Sequence, residues 1–160
     1  MIEASLIKAA AYLGAAISVG AAAIGAALGE GYAAGEANAA ISYRPRYSAQ
    51  VLTTMLVGQA VAETPGIFGL VVAIVLIFAA PSQVPLTKAF AYVGAGFSMG
   101  FSGIGPGLGS GFPVGSACQG IVRQPEMSGD LMKVMLIGQA ISQSTAIYGL
   151  AVALALILLA

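Results

Sequence analysis

The chain has 160 residues, 59% of them hydrophobic and only 8% charged, with a formal net charge of zero and no histidine. A soluble domain carries about a quarter charged residues, so a soluble fold is excluded, and zero net charge gives no reason to expect nucleic acid or an acidic partner. Without histidine, and with Cys118 as the sole cysteine, the chain lacks the ligands for transition-metal chemistry, an internal disulfide and a histidine base for a nucleophilic hydrolase.

A bilayer span takes roughly 20 mostly apolar residues, and four segments qualify: 5–41, 48–80, 85–121 and 128–160. The opening MIEASLIK has no basic n-region and runs into a long Gly/Ala helix, so a signal peptide is not expected. The first segment is poor in bulk: in GAAISVGAAAIGAALGEGYAAG (14–35), Gly25, Gly29 and Ala33 recur every four residues. Small residues let helix backbones approach closely in lipid, either within an ordinary hairpin or on an inner helix crowded from several sides. A polar turn, SYRPRYS (42–48), ends this helix at Pro45, because proline disfavours helical geometry in the residue before it. The second segment carries AVAETPGIF (60–68). The third, GAGFSMGFSGIGPGLGSGFPVG (94–115), alternates glycines and holds Pro106 and Pro113, which are expected to kink it. After the turn VRQPEMS (122–128), the fourth carries AISQSTAIY (140–148).

Residues 1–80 and 81–160 align without a gap at 32 identities in 80 positions, including Lys8/Lys88, Gly29/Gly109, Pro45/Pro125 and the run MLxGQA. One helical hairpin is therefore used twice. The expected architecture is all-α, with four transmembrane helices as two tandem hairpins, 1–80 and 81–160. Each unit contains two spans, so the copies share one orientation, unlike the inverted repeats of many transporters. The turns and their surroundings hold Arg44, Arg46, Arg123 and Lys133, against Lys8 and Lys88 on the other side. By the positive-inside rule the turns face the cytoplasm, and both termini and the 81–87 linker lie outside.

Glu30 lies 15 residues before Pro45 and Glu63 lies 18 after it, so both sit about 22–27 Å from the turn at 1.5 Å per residue. An ionisable residue in lipid is costly and marks a functional site; the bland alternative for Glu63 is a protonated interhelical tie. Two close carboxylates do not both ionise. With one shared proton the pair keeps a single negative charge, which suits one Na⁺ or a second proton. The equivalent residues of the second hairpin are Ser110 and Gln143, neutral at every pH. Glu36 lies nearer the cytoplasmic end and, like Glu3, Glu126 and Asp130, is expected at the interface or in solvent.

The Gly-rich helix, the Arg–Pro turn ("RQPE" in the second copy) and the carboxylate in "GQAVAET" together resemble the proteolipid, or c, subunit of rotary ATPases over essentially the whole chain. The RQP turn is similar to F-type c subunits, and the doubled length resembles V-type rotors and some bacterial Na⁺ F-type rotors. The resemblance implies a homo-oligomeric ring in a bacterial plasma membrane, whose carboxylates carry ions past a stator subunit bearing an essential arginine. It also implies that the turns, through Arg44, Pro45, Arg123, Gln124 and Pro125, contact the central stalk. Sodium-type members place Gln or Glu where Glu30 stands. They draw further ligands from an adjacent hairpin, and in the second copy these correspond to the Ile141 carbonyl, Ser144, Thr145 and Tyr148. The first copy offers Val61 and Thr64 but has Pro65 and Phe68 in place of the second hydroxyl and the tyrosine. The resemblance thus implies one complete Na⁺ interface, Glu30 and Glu63 against Ile141, Ser144, Thr145 and Tyr148. Its degenerate counterpart sets Ser110 and Gln143 against Val61, Thr64, Pro65 and Phe68. H⁺ is the alternative ion. A transporter or channel of parallel hairpins is the rival reading, but it calls for polar groups along a path, not at one depth. A structural membrane spacer is the third.

Overall fold

A computed structural model describes residues 2–79 and 85–159. Residues 80–84, most of the expected 81–87 linker, lie outside the described residues. The elements run α1 (Ile2–Tyr43), a 3₁₀ turn (Pro45–Tyr47), α2 (Ser48–Ala62), α3 (Thr64–Ala79), α4 (Thr87–Arg123), a second 3₁₀ turn (Pro125–Met127) and α5 (Ser128–Leu159). Helices satisfy their backbone hydrogen bonds internally, as a lipid-exposed chain must. The 42 residues of α1 extend about 63 Å, roughly twice the hydrocarbon core, so the hairpins project beyond the bilayer.

Glu3–Tyr43, Pro45–Phe78 and Pro125–Leu159 are long and apolar enough to cross a membrane. The expected third span, α4, has the length at 37 residues but not the hydropathy, because glycine, serine and proline contribute little apolar surface. Its setting differs from that of the others: α4 packs against each of the other four α-helices and buries about half of its residues, while Phe90, Phe97, Phe101 and Phe112 stay exposed. It also runs as one helix through Pro106 and Pro113. Each proline leaves a carbonyl four residues earlier, at Ser102 and Gly109, without its helical donor. The second arm departs from expectation: it is divided at Glu63, the one-residue joint between α2 and α3. The Glu63 N–H still donates to Gln59 (3.0 Å) and the Ile67 N–H to the Glu63 carbonyl (3.2 Å), so the arm stays stacked.

The two hairpins are stitched alike. Ser18 Oγ donates to the Gly69 carbonyl at 3.0 Å, and Ser98 Oγ to that of Gly149 at 3.1 Å. Gln59 Nε2 donates to the Glu30 carbonyl at 3.1 Å, and Gln139 Nε2 to that of Ser110 at 3.2 Å. The turns repeat as well, with Arg44 at φ −138°, ψ 83° and Gln124 at φ −136°, ψ 76°, the extended geometry that a following proline favours.

α1 and α4 lie side by side and parallel, backbone on backbone. A Cβ at Gly25 would come within 2.6 Å of Ile104 Cα, and one at Gly111 within 2.6 Å of Gly29 Cα, so only glycine fits. Gly25 and Gly29 therefore serve contact with the other inner helix and not with their own outer arm. One buried cluster, including Ile7, Val72, Leu76, Tyr92, Met99 and Ile157, fills the end near the termini. A second, including Val51, Val114, Ile121, Val122 and Met135, fills the end near the turns. Between them lies a polar belt at Gln59, Ser110, Gln139 and Gln143. Outside, large apolar side chains such as Phe78 (83% exposed), Val134 (69%) and Leu158 (70%) present the surface lipid or another subunit would cover.

Candidate functional site

Glu30 and Glu63 do come together. With Ala23, Ala27, Gly66 and Ile67 among others they line one open cavity of about 330 Å³, on the edge of the first hairpin facing away from the second. Glu63 is exposed and Glu30 half-buried. The division of the arm places Glu63 where the backbone turns from α2 into α3, with its N–H and C=O both engaged, so its carboxylate is presented from a fixed base.

Ile141 (70% exposed) and Tyr148 (66%), together with exposed Thr145 and half-buried Ser144, occupy the opposite edge of the chain, on α5. They are not brought to Glu30 and Glu63 within one subunit. Ser144 Oγ here donates to the Ile141 carbonyl, and Thr145 Oγ1 to that of Ser142 at 3.2 Å. Thr64 is half-buried and Val61 lies at the seam between the hairpins. The residues Arg44, Pro45, Arg123 and Gln124 are exposed at the turns, with Pro125 half-buried.

At that internal seam the uncharged copy is closed. Gln143, 7% exposed, donates through Nε2 to the Val61 carbonyl at 3.2 Å and to Ser110 Oγ at 2.9 Å. One turn away Gln139, fully buried, donates to the Gly58 carbonyl at 2.8 Å as well as to that of Ser110. The sequence carried a signal for these amides, since Gly-Gln recurs in both copies (58–59 and 138–139); a one-dimensional pattern did not show that they clamp hairpin to hairpin. Glu36 accepts from Gln119 Nε2 at 3.0 Å, which ties it to α4 near the turns.

Set against known proteins, residues 13–76 and again 93–156 match the family model for the C subunit of ATP synthase, the second match lying 80 residues beyond the first. The chloroplast ATP synthase c subunit of Phaeodactylum tricornutum is 45% identical over 73 residues, 46% of this chain and 89% of its own length. The chloroplast c subunit of Oltmannsiellopsis viridis is 48% identical over 73 residues, 46% of this chain and 89% of its own. The ATP synthase c subunit of Alkaliphilus oremlandii is 43% identical over 72 residues, 45% of this chain and 81% of its own. Each relative thus corresponds to about one hairpin, and this chain belongs, as a tandem duplication, to the ATP synthase C-subunit family.

Proposed function

We propose that this membrane rotor protein carries one Na⁺ per chain on Glu63 and Glu30, at an interface completed by the Ile141 carbonyl, Ser144, Thr145 and Tyr148 of the neighbouring subunit. The observation that carries the reading is the bond from Gln143 to the Val61 carbonyl at 3.2 Å. Residue 143 of the second hairpin reaches residue 61 of the first. Displaced by the 80-residue repeat, the same packing sets Glu63 against the carbonyl of Ile141 in the next subunit. The carboxylates and the α5 oxygens lie on the two open edges of the chain, as that arrangement needs. Coordinated loss of the carboxylate and its facing hydroxyls then falls at the seam inside each chain.

One shared proton leaves Glu30 and Glu63 a single negative charge, neutralised by Na⁺, so the loaded site can face lipid. The emptied site is anionic. Moving it into hydrocarbon costs about 3 kcal/mol or more, which confines it to the stator's aqueous half-channels and arginine. Each ion crossing 100 mV exchanges roughly 2.3 kcal/mol. One site per four helices spreads each turn over fewer ions than one per two, which favours pumping driven by ATP hydrolysis. The turns face the cytoplasm of a bacterium and meet the central stalk.

Carbodiimide labelling tests the reading. Glu63 is expected to react selectively and Na⁺ to protect it at neutral or alkaline pH. Indifference to Na⁺ would assign H⁺ as the ion, and an unreactive Glu63 would overturn the rotor-site assignment. The facing surface is tested separately. Ser144→Ala and Tyr148→Phe are each expected to raise the Na⁺ concentration needed for half-protection about tenfold, the loss of roughly one ligand or its hydrogen bond. Thr64→Ala, one turn after Val61, is expected to leave it unchanged.

A further inference from the structure

The seam inside the chain has a feature that relaxed constraint does not produce. Pro65 stands four residues after Val61 and has no N–H, so the Val61 carbonyl loses its regular helical donor and keeps within its own chain segment only a share of the Glu63 N–H, which also serves Gln59. The structure supplies a donor from the other hairpin, Gln143 Nε2 at 3.2 Å. The same nitrogen gives its second hydrogen to Ser110 Oγ at 2.9 Å. The carboxamide is thus used from its electropositive end alone, twice, while the buried Gln143 Oε1 has no partner; nor has Gln139 Oε1 beside it. Only an NH₂ can pair with a carbonyl, so the orientation is fixed. A buried acceptor left without a donor is costly, so the donor contacts are made despite that loss.

We infer that Pro65 and Gln143 are a matched joint that holds the two hairpins of one chain permanently closed, the amide nitrogen standing where a cation would link the same oxygens. Pro65 frees the carbonyl and Gln143 occupies it. The interface between subunits would have neither half: Thr145 holds the position of Pro65 within unbroken α5, and the carboxylate of Glu63 replaces the amide of Gln143. Interfaces around a ring of this chain therefore alternate between a fixed joint and an exchangeable one, and only the second opens and closes with the ion. The likeness to a cation rests on the function proposed above; the joint itself rests on the two hydrogen bonds and the missing N–H.

A double-mutant cycle on the purified protein tests it. In reversible unfolding in mixed micelles, Gln143→Leu is expected to raise the unfolding constant about tenfold. In a Pro65→Ala background, where the restored backbone N–H at position 65 can donate to Val61, the same change is expected to cost less than about threefold. Equal cost in both backgrounds, or no cost for Gln143→Leu with Pro65 present, overturns the joint. Should the leucine variant fail to assemble, Gln143→Met, a flexible apolar chain of similar length, completes the cycle with the same two outcomes. Na⁺ protection of Glu63 is followed in each variant. Its absence in the unmodified protein would count against the ion site alone and leave the coupling to be read independently.

Discussion

Glu63→Gln is expected to abolish carbodiimide incorporation and to reduce ion-coupled ATP hydrolysis at least about a hundredfold, roughly 2.8 kcal/mol at 1.4 per decade, while the ring still assembles. The basis is a substitution the chain already contains. Gln143 occupies the position of Glu63 in the second hairpin, is buried, and bonds the opposing Val61 carbonyl and Ser110 hydroxyl. In the proposed packing a glutamine at 63 would meet the Ile141 carbonyl of the neighbouring subunit, which, unlike that of Val61, keeps its helical donor at Thr145, so it would fill the place without forming the matched joint. Under the proposed function it would supply no charge for a cation and would never become anionic before the stator. Assembly persists and exchange stops. Glu30→Gln is expected to retain Na⁺-protected labelling of Glu63, since one negative charge remains at the pair. The measurements are labelling stoichiometry by mass spectrometry and Na⁺-stimulated hydrolysis by the whole complex. Substantial Na⁺-dependent turnover by Glu63→Gln would remove that residue from the ion's path.

Much of this was legible from residue types and spacing alone, and the exceptions have identifiable causes. Apolarity and the 80-residue repeat locate the helices, and counting from Pro45 puts Glu30 and Glu63 at similar depth; the structure sets both on one cavity. Hydropathy understates α4 because glycine contributes no side chain to transfer, though glycine is what lets four helices pack against it. The division of the second arm at Glu63 was not anticipated, although Pro65 is its local signal. The partners of Gln139 and Gln143 were out of reach for another reason. α5 is apolar on most of its circumference, so periodicity does not say which face meets the other hairpin, and the faces differ only in which carbonyl waits across the seam. The position of Ile141 and Tyr148 on the far edge likewise emerges only once α1 and α4 are set side by side.

Valine placed at different glycines separates the folding of one chain from the assembly of the ring. Gly25→Val and Gly111→Val are expected to prevent the chain from folding, at a cost of at least about 3 kcal/mol, the upper part of the overpacking range. The atoms in the way are backbone, Ile104 Cα and Gly29 Cα, each 2.6 Å from the first added carbon, and neither can swing aside as a side chain does. Gly20, Gly31 and Gly105 have nothing within 4 Å of such a carbon. Gly20 and Gly31 nevertheless hold the repeat positions of Gly100 and Gly111, whose added carbons meet the Ile17 carbonyl at 2.6 Å and Gly29. Gly105 holds the repeat position of Gly25. If the α1–α4 seam is repeated between subunits, Gly20 and Gly31 meet Phe97 and Gly109 of the neighbour, and Gly105 meets Ile24. The exposure of Ile24 (56%) and Phe97 (46%) fits two surfaces awaiting each other. Gly20→Val and Gly105→Val are therefore expected to leave helix content and thermal unfolding of the dissociated chain unchanged and to eliminate the assembled ring on native gels. A ring that forms normally with valine at both positions would show that the contact between subunits does not repeat the one inside the chain. Glu63 would then face something other than Ile141.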